Sequence, residues 1–247
     1  MIKKDLHVHT VYSDGKDTPE SIVLYAIKKG IKEIGFSDHS YTFFDESWCM
    51  CKDKIKEYAA EINLLKEKYK DKIIVKCGIE QDFYSAESTD KYEYAIGSVH
   101  YLFKDGKYLP VDESKEKFVE IVKGFFGGDY HAFCEEYFNT VVKFSERKDI
   151  GIIGHFDLAT KFNEDNALFD ENNDRYARAA FSAAEKLVKS GKVFEINTGA
   201  ISRGYKTDAY PAKRIREFIK SLGGKFILSS DSHKKETLLF GFDKFQN

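Results

Sequence analysis

Histidines and carboxylates recur in this sequence where strands would end. His7 and His9 are one residue apart, as are Asp231 and His233. On an extended chain such i, i+2 pairs project from one face, so both members can reach one ion. Glu80 follows the apolar run Cys77-Gly78-Ile79, and a carboxylate buried there needs a metal or a basic partner. His100 and His155 each follow another apolar run, and so does Asp38-His39. Taken singly, each has a plainer explanation: an imidazole bonded to a backbone carbonyl, an ion-paired Glu, a surface turn. Yet six of the seven histidines fall in this set, and only His131 lies outside it.

Imidazoles and carboxylates without thiolates suit zinc, manganese or iron rather than a structural zinc site. His7, His9, Glu80, His100, His155, Asp231 and His233 are too many ligands for one ion. Two or three divalent ions are expected, with Glu80 and Asp231 as bridges. Ions held roughly 3.5–4 Å apart are a recurrent device for phosphoester hydrolysis. They lower the pKa of a bridging water, so that hydroxide exists near neutral pH, and they take up charge on the phosphoryl oxygens.

These residues meet only if the fold carries them to one mouth. Short apolar runs alternate with helical patterns, which argues for βα units around a parallel sheet. Strands are expected at Leu6–Val8 (with Ile2 just ahead), Ile31–Ser37, Ile73–Ile79, Tyr94–Ser98, Ile150–Ile153, Val193–Ile196 and Phe226–Leu228. Between them fall helices at about 19–29, 53–69, 113–123, 129–146 and 172–189, and one opened by Pro211 and closed by Gly223-Gly224. Thr18-Pro19 is a cap residue followed by proline at the first helical position. Seven strands in unbroken alternation close most simply as one barrel-like α/β domain over residues 1–247, with an open doubly wound sheet as the rival. In a (β/α) barrel the carboxyl ends of the strands share the face where active sites lie.

Bulk properties exclude little but are consistent with this. A formal net charge of -2 gives no argument for nucleic acid or an anionic membrane as partner. No apolar run approaches the roughly 20 residues that span a bilayer. Asp5 and His7 interrupt any secretory apolar stretch, so a cytoplasmic location is expected. Cys49, Cys51, Cys77 and Cys134 are irregularly spaced, which does not support a zinc ribbon and suits reduced thiols.

The series Asp5-Leu6-His7-Val8-His9-Thr10, Ser13-Asp14-Gly15, Ser37-Asp38-His39-Ser40, Gly78-Ile79-Glu80, Gly97-Ser98-Val99-His100-Tyr101, Gly154-His155-Phe156-Asp157 and Ser230-Asp231-Ser232-His233 resembles the PHP (polymerase and histidinol phosphatase) superfamily. The stretches 97–102 and 195–211 resemble its histidinol-phosphatase branch. The resemblance implies a distorted, TIM-like (β/α)7 barrel with a trinuclear site. By position, the first ion would take His7, His9, Glu80 and Asp231. The second would take Glu80, His100 and His155. The third would take His39 and His233, with Asp14 where some relatives carry histidine. Arg203 and Lys161 resemble phosphate binders, the guanidinium fork suiting phosphate oxygens better. Asn197 is expected to touch substrate, and Asp157 to orient His155 or another ligand. Glu195, ahead of Asn197 on its strand, is read as facing the other way. The chain ends 14 residues after His233, short of the final helix that the resemblance implies.

The function implied is hydrolysis of L-histidinol phosphate in histidine synthesis, with Asp231, His233 and Arg203 as catalytic residues. Another phosphoesterase activity on a small phosphomonoester or nucleotide, or a non-catalytic scaffold, would be the alternatives. The oligomeric state is not readable from the sequence.

Overall fold

The computed structural model describes residues 3–245. Ile2, expected just ahead of the first strand, lies outside the described residues.

Seven parallel strands form one sheet: β1 (Lys4–Asp5), β2 (Glu33–Phe36), β3 (Ile74–Asp82), β4 (Tyr94–Ser98), β7 (Ile152–Ile153), β8 (Val193–Asn197) and β9 (Lys225–Ser229), hydrogen-bonded in that order. The two ends of this sheet then meet. Val8 pairs with Ser232 in a parallel bridge, with His9 N donating to Ser232 O at 2.9 Å and Ser232 N to His7 O at 3.1 Å. A buried carboxylate stitches the same seam, for Asp5 accepts from Ser230 N and Leu239 N, each at 3.1 Å. The result is a distorted barrel, as the sequence implied, and not an open sheet.

Helices α1 (Pro19–Lys28), α2 (Ile55–Lys68), α3 (Lys115–Phe126), α4 (Tyr130–Val141), α5 (Asp174–Lys189) and α7 (Lys213–Ser221) accompany the strands, and the one-turn α6 (Gly199–Ser202) follows β8. Local chemistry sets their ends. Thr18, Ser114, Asp129 and Asn173 each accept a first-turn backbone N–H, and Gly127 ends α3 in the left-handed region. Along α5, Tyr176, Ala180, Ala183, Ala184 and Leu187 form one buried stripe.

Inside the barrel, Tyr94 forms the floor. Its hydroxyl lies 2.6 Å from Leu6 O and 3.1 Å from Phe36 O, tying β4 to its two distant neighbours. The ring needs bare backbone beneath it: a Cβ at Gly78 would sit 2.2 Å from Tyr94 Cζ, and one at Gly35 would sit 2.3 Å from its hydroxyl. Above this floor the interior is polar.

Several boundaries differ from expectation. The first strand was expected at Leu6–Val8, but regular pairing covers only Lys4–Asp5; beyond it Val8 bonds to Ser37 through its N and O, while the flanking His7 O and His9 N bond to Ser232. The expected helix at 129–146 stops at Val141 and tightens into a 3₁₀ turn, Val142–Glu146. A hairpin, β5 (Tyr101–Lys104) and β6 (Lys107–Pro110), went unforeseen. Its signal was there: Asp105 and Gly106 both have positive φ (49° and 75°), the conformation an Asp-Gly hairpin turn supplies. After β9 come two 3₁₀ turns, Lys235–Thr237 and Phe242–Lys244. All four cysteines are free thiols.

Replacing Gly78 by alanine forces a methyl into the Tyr94 ring and is expected to cost about 1–3 kcal/mol, as core overpacking does. Urea unfolding checks this, and a loss below about 0.5 kcal/mol, the range of ordinary surface changes, would show that the floor is not close-packed there.

Candidate metal centre

Every candidate ligand but Asp14 stands at or just beyond the carboxyl end of a strand, and the barrel brings them together. Glu80, at 1% exposure, lies at the middle. Its Oε2 is 3.2 Å from His7 Nε2, 3.5 Å from His9 Nε2 and 2.8 Å from His39 Nδ1. Its Oε1 is 2.9 Å from His155 Nε2 and 3.5 Å from His100 Nε2. Asp231 Oδ1 lies 3.2 Å from His9 Nε2, 3.6 Å from His233 Nδ1 and 3.8 Å from His7 Nε2. Asp14, from the loop after β1, reaches His233 Nε2 at 3.1 Å, His39 Nε2 at 3.7 Å and His9 Nδ1 at 3.8 Å. His131 is remote in role, with its Nε2 3.0 Å from Asp170 O.

Hydrogen bonds among these groups do not account for the arrangement. His7 Nε2, both ring nitrogens of His9, His39 Nδ1 and Glu80 Oε2 are buried without a hydrogen-bond partner. The 2.8 Å approach of His39 Nδ1 to Glu80 is therefore proximity without donor alignment. Such atoms converge on common centres. Ligand atoms within 4.8 Å of one another form three overlapping groups: His7, His9 and Glu80; His39, Glu80 and His100; and His9, Asp14, His39 and His233. His155 and Asp231 join through their short contacts to Glu80 and His9. Buried nitrogen and carboxylate atoms in this arrangement fit divalent metal ions, which satisfy all of them at once.

A ring of carboxylates behind the imidazoles aims them. Glu195 Oε1 holds His7 Nδ1 at 2.7 Å, which leaves the His7 Nε2 lone pair facing Glu80 and Asp231. Its other oxygen accepts from His155 N at 3.1 Å. The expectation that Glu195 faces away is thus overturned. Residues 195 and 197 are two apart on β8 and share a face, and both side chains are buried on the ligand side. Asp82 accepts from His100 N at 3.1 Å and lies 3.4 Å from its Nδ1. Asp38, beside His39, instead binds the loop of Asp14, accepting from Thr10 N at 2.8 Å and Ser13 Oγ at 2.7 Å.

The electrostatics are strongly coupled. Burial pushes the Glu80 carboxyl up, but His7, His39 and His100 outweigh this and hold it well below the usual range. Burial lowers His7, yet Glu195, Glu80 and Asp231 raise it well above the ordinary imidazole value. His9 moves the other way, down to about 3, from burial and from the neighbouring imidazoles His233 and His39, whose ring centroids lie 4.1 and 4.3 Å from its own. His9 is thus held in the neutral form that a metal ligand needs.

At the mouth, Arg203 donates to Asp231 O and Oδ2, both at 2.9 Å, and Asp231 holds a left-handed φ of 50°. Gly199 permits this approach, since a Cβ there would lie 2.7 Å from both Arg203 Nη2 and Asp231 Oδ2. Lys161 lines the same mouth, with its Nζ 2.9 Å from Asp112 Oδ2. Two expected roles are corrected. Asn197 is fully buried and spends its side chain on Glu195 Oε2 and Gly199 N, so it braces the site from behind. Asp157 binds Ala212 N at 2.9 Å and pins the loop after β8, with no hydrogen bond to the His155 ring.

Residues 5–199 match the PHP domain family. The chain belongs to it. A probable histidinol-phosphatase of Schizosaccharomyces pombe is 29% identical over 87% of this PHP chain and 74% of its own length. The histidinol-phosphatase of Bacillus subtilis is 25% identical over 99% and 98%. Among solved structures, histidinol phosphate phosphatase of Lactococcus lactis, complexed with zinc, L-histidinol and phosphate, superposes with a TM-score of 0.71 at 23% identity, over 95% of this chain and 87% of that one. That likeness shows a shared fold.

Two outcomes are expected for this PHP domain. Replacing Glu195 by glutamine should weaken metal binding about 10–100-fold, as loss of a buried ligand-orienting carboxylate does. Titration of the stripped protein with metal under competing chelator checks it, and unchanged affinity would remove Glu195 from the site. Because His7 and His100 are held above the ordinary imidazole value, protons must leave as ions bind. Affinity should therefore rise from pH 6 to pH 8, with proton release measurable by calorimetry in buffers of different ionisation enthalpy.

Proposed function

We propose that this protein is a histidinol-phosphatase, hydrolysing L-histidinol phosphate to L-histidinol and phosphate in histidine synthesis. The observation that carries this reading is an open cavity of about 390 Å³ set directly over the ligand cluster, with Arg203 at its edge. Its volume suits a small phosphomonoester. The curated relatives that share most of the chain's length carry the same activity in their names.

Two or three ions, zinc, manganese or iron, are assigned by ligand set. His7, His9, Glu80 and Asp231 would hold one; Glu80, His100 and His155 a second; Asp14, His39 and His233 a third. Bound there, divalent ions supply Lewis acidity toward phosphoryl oxygens and an acidified water as nucleophile.

The chain's own residues do the rest. Glu80 and Asp231 place their carboxylates between the imidazole groups. Arg203, whose charge is secured by Asp231, offers guanidinium N–H groups to the phosphoryl oxygens as negative charge builds on them. Lys161 adds positive charge to the same mouth. With only the first two ions bound, His233, at 23% side-chain exposure the most accessible of the imidazoles that face Asp231, would be free to pass a proton to the departing alkoxide.

The test is phosphate release by stripped protein after restoring manganese, zinc or iron in turn. Release should return with metal and be fastest from histidinol phosphate when nucleotides and sugar phosphates are compared. Arg203→Ala should lower kcat/KM about 100-fold, the effect of removing one preorganised oxyanion donor. Fast release from a different ester alone would overturn the substrate, and no release with any metal would overturn the enzyme reading.

A further inference from the structure

The loop between β2 and α2 holds a Cys-x-Cys pair that the metal chemistry leaves unused. Cys49 is 4% exposed, Cys51 is exposed, and both are free thiols. Met50 between them is fully buried, and the two flanking side chains line one surface hollow together with Thr18, Lys54 and Glu57. Residues two apart on an extended chain share a face, and Cys51 keeps that extended backbone at φ -62° and ψ 144°.

The two thiols differ in role. Cys49 is a clasp: its Sγ accepts from Thr42 N at 3.3 Å and reaches Asp45 O at 3.5 Å, which closes residues 42–49 on themselves. Burial pushes its thiol up and keeps it protonated. Cys51 opens to solvent in the hollow that Lys54 lines, surroundings in which a thiol exchanges with disulfides. The clasp meets the metal centre at two points. Met50 N donates to His39 O at 3.0 Å, and the Trp48 ring lies edge-on to the His39 ring with centroids 4.4 Å apart. An extended Cys-x-Cys spans about 7 Å between Cα atoms, the outer edge of the roughly 4.4–6.8 Å that a disulfide accepts. A bridge therefore bends the chain at Met50 and withdraws Cys49 from Thr42.

We propose that Cys49 and Cys51 form a reversible oxidation site, and that closing a disulfide between them loosens the ligand His39. The oxidant is a small-molecule disulfide such as that of glutathione. The Cys51 thiolate attacks one of its sulfurs, which leaves a mixed disulfide on Cys51 and expels one thiolate. Cys49 then gives its proton to solvent and attacks the Cys51 sulfur, expelling the second thiolate. Two protein thiols are oxidised, one external disulfide is reduced to two thiols, and a thiol reductant reverses both steps. The site does not depend on which ester the centre cleaves.

The test incubates the metal-loaded protein with glutathione disulfide and counts thiols after denaturation. The chain has four cysteines, and the count should fall from four to two. Cys51→Ser, a change at an exposed position, should keep all of its thiols. Cys49→Ser should stop at one glutathione on Cys51, seen by mass spectrometry. Trp48 is the single tryptophan, so its emission reports the clasp directly. Emission should shift in the wild type as thiols disappear, return with dithiothreitol, and stay constant in Cys51→Ser. Metal affinity, titrated against a chelator, should weaken about 10-fold on oxidation, as loss of outer support for a ligand does. Persistence of all four thiols, or thiol loss in Cys51→Ser equal to that of the wild type, would overturn the site. A bridge that leaves emission or metal affinity unchanged would overturn its link to His39.

Discussion

A carboxylate taken out of water costs several kcal/mol unless charge or hydrogen bonds replace the solvent. Glu80 is buried to 1% exposure on the longest strand of the barrel, and the groups that face it are five imidazoles at 2.8–3.5 Å. Neutral imidazoles turn lone pairs toward it, and protonated ones cannot all crowd so closely together. Divalent cations resolve the conflict, because one ion accepts lone pairs from nitrogen and carboxylate alike. The polar interior, the barrel closure and the open mouth all follow from placing that carboxylate where it is.

Closing the barrel serves the same end. His7 and His9 come from the first strand, and Asp231 and His233 from the last, so these pairs become neighbours only when Val8 meets Ser232. Asp5 stabilises that seam through two backbone N–H groups. Tyr94 blocks the barrel below, with Gly35 and Gly78 giving it room.

Outside the ligands runs a ring of acids whose work is orientation. Glu195 faces His7 and the His155 backbone, Asp82 faces His100, and Asp38 secures the loop of Asp14. At the mouth, the left-handed Asp231 and the bare Gly199 let Arg203 close on the centre. Beyond it, Trp48, Tyr101 and Glu113 line the same cavity.

Much of this was legible in the sequence. Runs of apolar residues each followed by His, Asp or Glu named the strands, the mouth and nearly every residue of the buried imidazole–carboxylate cluster, because side chains alternate along a strand and a barrel gathers strand ends. Glu195 was missed through strand parity, although it shares a face with Asn197 two residues on. Asn197 and Asp157 were placed in the right neighbourhood with the wrong partners, since polar type does not say which of several nearby atoms a side chain will bind. The Asp-Gly hairpin turn stood in plain sight between Tyr101 and Pro110. What the sequence by itself determined was the inventory of candidate ligands and the alternation that collects them. Only the tertiary structure decided which oxygen of Glu80 faces which imidazole, that Glu195 stands behind His7, and that Trp48 and Glu113 share the cavity with Arg203. Those contacts join residues tens to hundreds of positions apart, and no local propensity encodes a distance across a barrel.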